Sequence, residues 1–88
     1  SIEACGKIQD FSVLYTLTNL EHLYLDGSTP LPDLSFLAKM PKLKTLSTTM
    51  PIVDGDLRPC LSIPYVSVRN RKHYNLKDSD LPKKLQLD

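Results

Sequence analysis

The sequence has no tryptophan, two cysteines, two histidines and three glycines. Each scarcity excludes something. A closed zinc cage would need nearly all of the His and Cys in one place, and no C-x-x-C or H-E-x-x-H spacing gathers them. The glycines stand alone, so there is no Gly-rich phosphate loop. Neither sign of charge dominates: eleven Lys and Arg face ten Asp and Glu, for a net charge of +1. No bulk field therefore selects a nucleic acid or an anionic membrane. No apolar run approaches a membrane span, and the opening SIEACGKIQD lacks the apolar core of a signal peptide. Nothing in the sequence implies a cofactor or a metal. What remains is an ordinary globular composition, 41% hydrophobic and 24% charged over 88 residues, enough for one small domain.

What the chain does contain is self-similarity. Shifted by 23 residues, DFSVLYTLTNLEHLYL (10–25) falls on DLSFLAKMPKLKTLST (33–48) without a gap. Asp10 meets Asp33, Ser12 meets Ser35, and Leu14 meets Leu37. Leu17 meets Met40, Leu20 meets Leu43, and Leu23 meets Leu46. Among the apolar anchors the one mismatch is Leu25, which meets Thr48 and puts a weaker core residue there.

Each unit reads in two halves. The first has apolar residues at i, i+3 and i+6, which suits a short helix or 3₁₀ segment with one buried stripe. Its leading Asp is placed to cap exposed backbone N–H groups. The second half, Leu20-x-x-Leu23-x-Leu25, ends at strand period, so Leu23 and Leu25 point one way and His22, Tyr24 and Asp26 the other. A turn with Gly27, Ser28, Pro30 and Pro32 then returns the chain. No unit can bury its leucines alone; stacking one on the next closes a shared core beside a parallel strand ladder.

L-x-x-L-x-L within a unit of this length is the leucine-rich-repeat pattern. DLSFLAKMPKLKTL resembles the repeat of bacterial internalin-type leucine-rich proteins, in which an Asp-led short helix precedes the strand. The resemblance covers about residues 2–68. It implies an α/β solenoid: a parallel strand ladder on one face, short helices or 3₁₀ turns on the other. The implied activity is binding another protein.

The pattern frays at both ends. Stepping back 23 residues places Ile2 on Leu25 and Cys5 on the Asn/Cys ladder position after the strand, with Ile8 on Leu31. That expectation has the chain starting inside a repeat, either with sequence before Ser1 or with an uncapped edge strand open to self-association. The third unit restarts at Asp56-Leu57. A strict 23-residue step would then bury Arg69 at the Leu46 position, which is costly for an unpaired guanidinium. The shorter register Ile63-x-x-Val66-x-Val68 avoids this and turns Tyr65, Ser67 and Arg69 outward. The reading is therefore a partial repeat, two full repeats and a degenerate one over 1–68, then a polar cap or tail over 69–88. Asp80-Leu81 is read as the start of a last helical turn.

The chemical candidates carry little. Cys5 and Cys60 lie two units apart, beyond the roughly 7 Å Cα limit for a disulfide, so both are expected as buried free thiols. Free thiols favour a cytoplasmic setting, while the internalin-type resemblance leaves export open. His22 has a phenol and a carboxylate nearby on its face, yet no nucleophile or second base stands with it. It reads as a contact residue, and no enzyme is inferred. The basic stretch Arg69, Arg71, Lys72, His73 and Lys77, with Tyr74 for stacking, offers at most weak, salt-sensitive phosphate or nucleic-acid contact. A solvated end cap explains it as well. The first 44 residues balance to −1 and the last 44 to +2, a mild asymmetry. The expected interaction surface is the outward strand face: His22, Tyr24 and Asp26; Thr45, Ser47 and Thr49; Tyr65, Ser67 and Arg69. Tyr24, Tyr65 and Arg69 are its best anchors.

Overall fold

A computed structural model describes residues 3–6 and 11–84. Four short strands, β1 (Glu3–Gly6), β2 (His22–Leu25), β3 (Thr45–Thr48) and β4 (Tyr65–Val68), form one parallel sheet in sequence order. Between them run 3₁₀ segments η1 (Phe11–Thr16), η2 (Ser35–Lys39) and η3 (Arg58–Ser62), and η4 (Asp78–Asp80) follows β4. η1 packs on η2 and η2 on η3, as β1 to β4 pack in order. The class is α/β, with the helical layer made of 3₁₀ turns.

The i, i+3, i+6 spacing explains that choice of helix. A 3₁₀ helix has three residues per turn, so positions three apart eclipse. Leu34, Leu37 and Met40 are all buried, as are Leu57, Cys60 and Ile63. The same residues link their backbones: Leu37 N–H donates to Leu34 O, Met40 to Leu37 and Leu43 to Met40, each at 3.1 Å. Cys60 N–H donates to Leu57 O and Ile63 N–H to Cys60 O, both at 3.0 Å. The apolar row thus faces inward with its polar backbone already satisfied.

The leading aspartates act one residue earlier than an ordinary cap. Asp33 Oδ1 accepts from the N–H (2.9 Å) and the hydroxyl (2.7 Å) of Ser35, the first residue of η2. Asp56 Oδ1 accepts from Arg58 N–H at 3.1 Å, and Arg58 opens η3. Asp10, the third member of the series, lies outside the described residues, as does Ile8.

In the sheet, Leu23, Leu46 and Val66 stand side by side, and so do Leu25, Thr48 and Val68. All six are buried. The shorter third register is borne out: β3 to β4 is a 20-residue step, Leu46 to Val66, and Arg69 is exposed. Thr48 occupies the inward Leu25 position at 2% exposure. Its hydroxyl accepts from Met50 N–H at 3.1 Å, so the polar atom is satisfied within the turn.

The first register differs from the expected one. Ala4 pairs with Leu23 and Gly6 with Leu25, a step of 19 residues rather than 23. Gly6, not Ile2, is the partner of Leu25, and Ile2 itself lies outside the described residues; Cys5 pairs with Tyr24 inside the strand instead of following it in the turn. The physical reason is a shorter connection: 15 residues join β1 to β2 where 19 join β2 to β3, so backbone pairing takes precedence over leucine spacing.

Residues 70–84 fold back as a strap onto β4 and the 52–57 turn. Pro82 O accepts from Val66 N–H and Pro64 O from Lys84 N–H, both at 2.9 Å, so Lys83 bridges Tyr65 antiparallel. Asp78 Oδ1 accepts from Val68 N–H at 2.9 Å and from Lys83 Nζ at 2.6 Å. Lys83 Nζ also donates to Val66 O. Leu81, within this strap, is buried. The last helical turn ends at Leu81 and spans Asp78–Asp80; it does not start at Asp80, because Asp80 N–H closes back on Lys77 O.

Candidate functional site

The face of the sheet turned away from the core carries two rows set by strand register. His22, Thr45 and Tyr65 form one; Tyr24, Ser47 and Ser67 form the other. Alternation along each strand produces this: Leu23 and Leu25 are buried, while His22 and Tyr24, which alternate with them, are half-buried. Asp26, Thr49 and Arg69 continue past the strand ends and are exposed.

Thr45 departs from expectation. It lies on the outward row but is only 6% exposed, between the larger side chains of His22 and Tyr65. It is a floor, not a contact residue. Thr49 is partly spent inside the fold: its Oγ1 accepts from Gly27 N–H at 3.1 Å and its carbonyl from Arg71 Nη2 at 3.2 Å. His22 Nδ1 is shut off from water without a hydrogen-bond partner. At one flank Lys83 Nζ lies 5.4 Å from the Tyr65 ring centroid, a cation–π contact supplied by the strap. At the strand starts a Glu21–Lys44 ion pair (3.3 Å) borders an open groove of about 490 Å³ that runs past Pro41 and Pro64.

The basic stretch divides into two kinds of residue. His73 Nε2 donates to Ile52 O at 2.7 Å, and Tyr74 Oη accepts from Ile52 N–H at 2.9 Å. Asn75 Oδ1 accepts from Leu57 N–H at 2.9 Å, and its Nδ2 donates to Asp56. His73, Tyr74 and Asn75 thus tie the strap to the 52–57 turn. Lys72 and Lys77 are exposed. Sequence reasoning missed the tie because Asn75 carries no charge or motif, and its partners lie 18 and 19 residues away.

Cys60 is a free, fully buried thiol, and burial pushes its pKa up to about 12, with the Asp56 carboxylate adding to the shift. The thiolate is therefore scarce at neutral pH. The side chain of Cys5 lies outside the described residues. Among the described residues no three His, Cys, Asp or Glu converge as metal ligands. No helix there is long and apolar enough to cross a membrane.

No protein-family model, curated protein or solved structure gives a significant match to this chain.

Proposed function

We propose that the chain is a leucine-rich-repeat solenoid segment that binds another protein, without catalysis, through its outward strand face. In this reading residues 69–88 serve as its cap. The observation that supports it best is the pair of in-register rows, with Tyr24 and Tyr65 half-exposed above a floor of Thr45, Ser47 and Ser67. Aromatic side chains over a rigid backbone lose little entropy on contact and dominate interface energetics. Area limits affinity: four short strands present roughly 300–400 Å², against about 800 Å² per partner in a standard interface. The groove past Pro41 and Pro64 and the exposed Arg69 extend the face.

The test is affinity capture with the intact chain and with a Tyr24→Ala/Arg69→Ala variant of equal thermal stability. Selective loss of a partner from the variant supports the reading; recovery of every partner by both proteins removes the surface. A second reading, a purely structural segment that closes a longer array, draws on the strap along the outer edge of β4. It expects no partner to distinguish the two proteins.

A further inference from the structure

Between β4 and η4 the chain borders an open depression of about 420 Å³ lined by Asn70, Arg71, Lys72, Tyr74 and Lys77. Three of these five are cations and none is an acid. The ion pairs of the described residues, Glu21–Lys44, Asp56–Arg58 and Asp78–Lys83, engage none of the three. The nearby acids are occupied: Asp78 holds Lys83 and Val68 N–H, and Asp80 Oδ2 accepts from the Lys77 backbone N–H at 3.0 Å.

The neutral side chains already accept bonds from the fold. Asn70 Oδ1 accepts from Asp78 N–H at 2.7 Å, and Tyr74 Oη accepts from Ile52 N–H at 2.9 Å. Their donors, the Asn70 amide N–H groups and the Tyr74 hydroxyl proton, remain for a ligand. Arg71 is poorly served by the protein. Its Nη2 makes one bond of 3.2 Å to Thr49 O, and its Nε is shut off from water with no acceptor. Three cations without an acid partner, in a lining that holds no acid, complement a ligand that offers acceptors and negative charge.

We propose that this depression binds the phosphate group of a small phosphomonoester, separately from the strand face. A phosphate dianion presents more acceptor oxygens and more charge than a carboxylate, matching three cations. The volume lies within the usual range for small-molecule pockets, about 300–1,000 Å³, so there is room beside Tyr74 for an organic group. Lys72 and Lys77 are exposed, so binding is weak and falls with salt.

The test titrates the full chain with inorganic phosphate, with phenyl phosphate and with a single-stranded oligonucleotide, at ionic strength held constant with chloride. Amide shifts of residues 70–77 are followed by NMR. The expected result is saturable shifts, tighter for phenyl phosphate than for inorganic phosphate. A Lys72→Gln/Lys77→Gln variant weakens binding by roughly tenfold or more with an unchanged melting temperature. Arg69→Gln, an exposed cation outside the depression, stays within about twofold, as a charge beyond direct contact should under screening. Shifts that do not saturate, equal affinity for the two phosphates, or an equal loss from Arg69→Gln overturns the proposal. So does oligonucleotide binding without saturable phosphate binding, which makes the segment a nucleic-acid surface. None of these results bears on partner capture by the strand face.

Discussion

Leu46 and Tyr24 sit on adjacent strands and opposite faces, and they separate core from surface. Leu46 is fully buried between Leu23 and Val66, so Leu46→Ala is expected to cost about 2–5 kcal/mol in a urea melt. Tyr24 is half-buried, and Tyr24→Ala is expected to cost about 1 kcal/mol or less. Comparable losses would mean that the two faces are exchanged. Gly55 is the other residue with a sharp requirement. Its φ is +66°, and a Cβ there would lie 2.6 Å from the His73 carbonyl oxygen. Gly55→Ala is expected to lower stability by more than about 1 kcal/mol in thermal unfolding. The sequence shows Gly55 only as an isolated glycine, because its constraint comes from a residue on the strap.

At the scale of elements, the leading Asp33 and Asp56 and the three-residue apolar spacing made η2 and η3 legible, since both signals are local. The strap was legible only as a cap or tail with a last helical turn. Its polar, basic sequence reads as a solvated cap or tail and says nothing of its contacts, yet Leu81 is buried and Asp78 holds both Val68 N–H and Lys83. Asp78→Ala leaves Val68 N–H without its acceptor and is expected to cost about 1–3 kcal/mol. The check is amide hydrogen exchange: Val66 and Val68 exchange faster in the variant, while Leu23 and Leu46 change only by the global loss. Equal acceleration at all four sites would make the strap part of one cooperative unit with the sheet.

Across the whole molecule, three aspartates link stability to acid. Asp33 is held below its ordinary pKa by the Ser35 hydroxyl and N–H, and Asp56 by Arg58 and Asn75. At Asp78 burial pushes upward, but hydrogen bonds from Lys83 and Val68 outweigh it. All three pKa values are lower folded than unfolded. Their contribution is therefore complete above the unfolded carboxylate pKa, about 4, and is lost as pH falls through the folded values. Melting temperature is expected to be flat from pH 7 to about 5 and to fall below about 4. A triple Asp→Asn variant should be less stable at pH 7 and show a shallower acid decline; an identical acid profile would remove these three residues as its cause.

The sequence by itself determined the parallel ladder beyond its first strand, the buried rows of η2 and η3 and the outward set on β2 and β4. Apolar spacing dictates which residues can leave water together, and the cost of burying Arg69 selected the third register. Tertiary structure alone decided the 19-residue first step, the burial of Thr45 and the folded strap. Each of these depends on what a distant segment covers or pairs with: His22 and Tyr65 over Thr45, β2 beside β1, Pro82 along β4. Contacts of that kind leave no periodicity in the residues that make them.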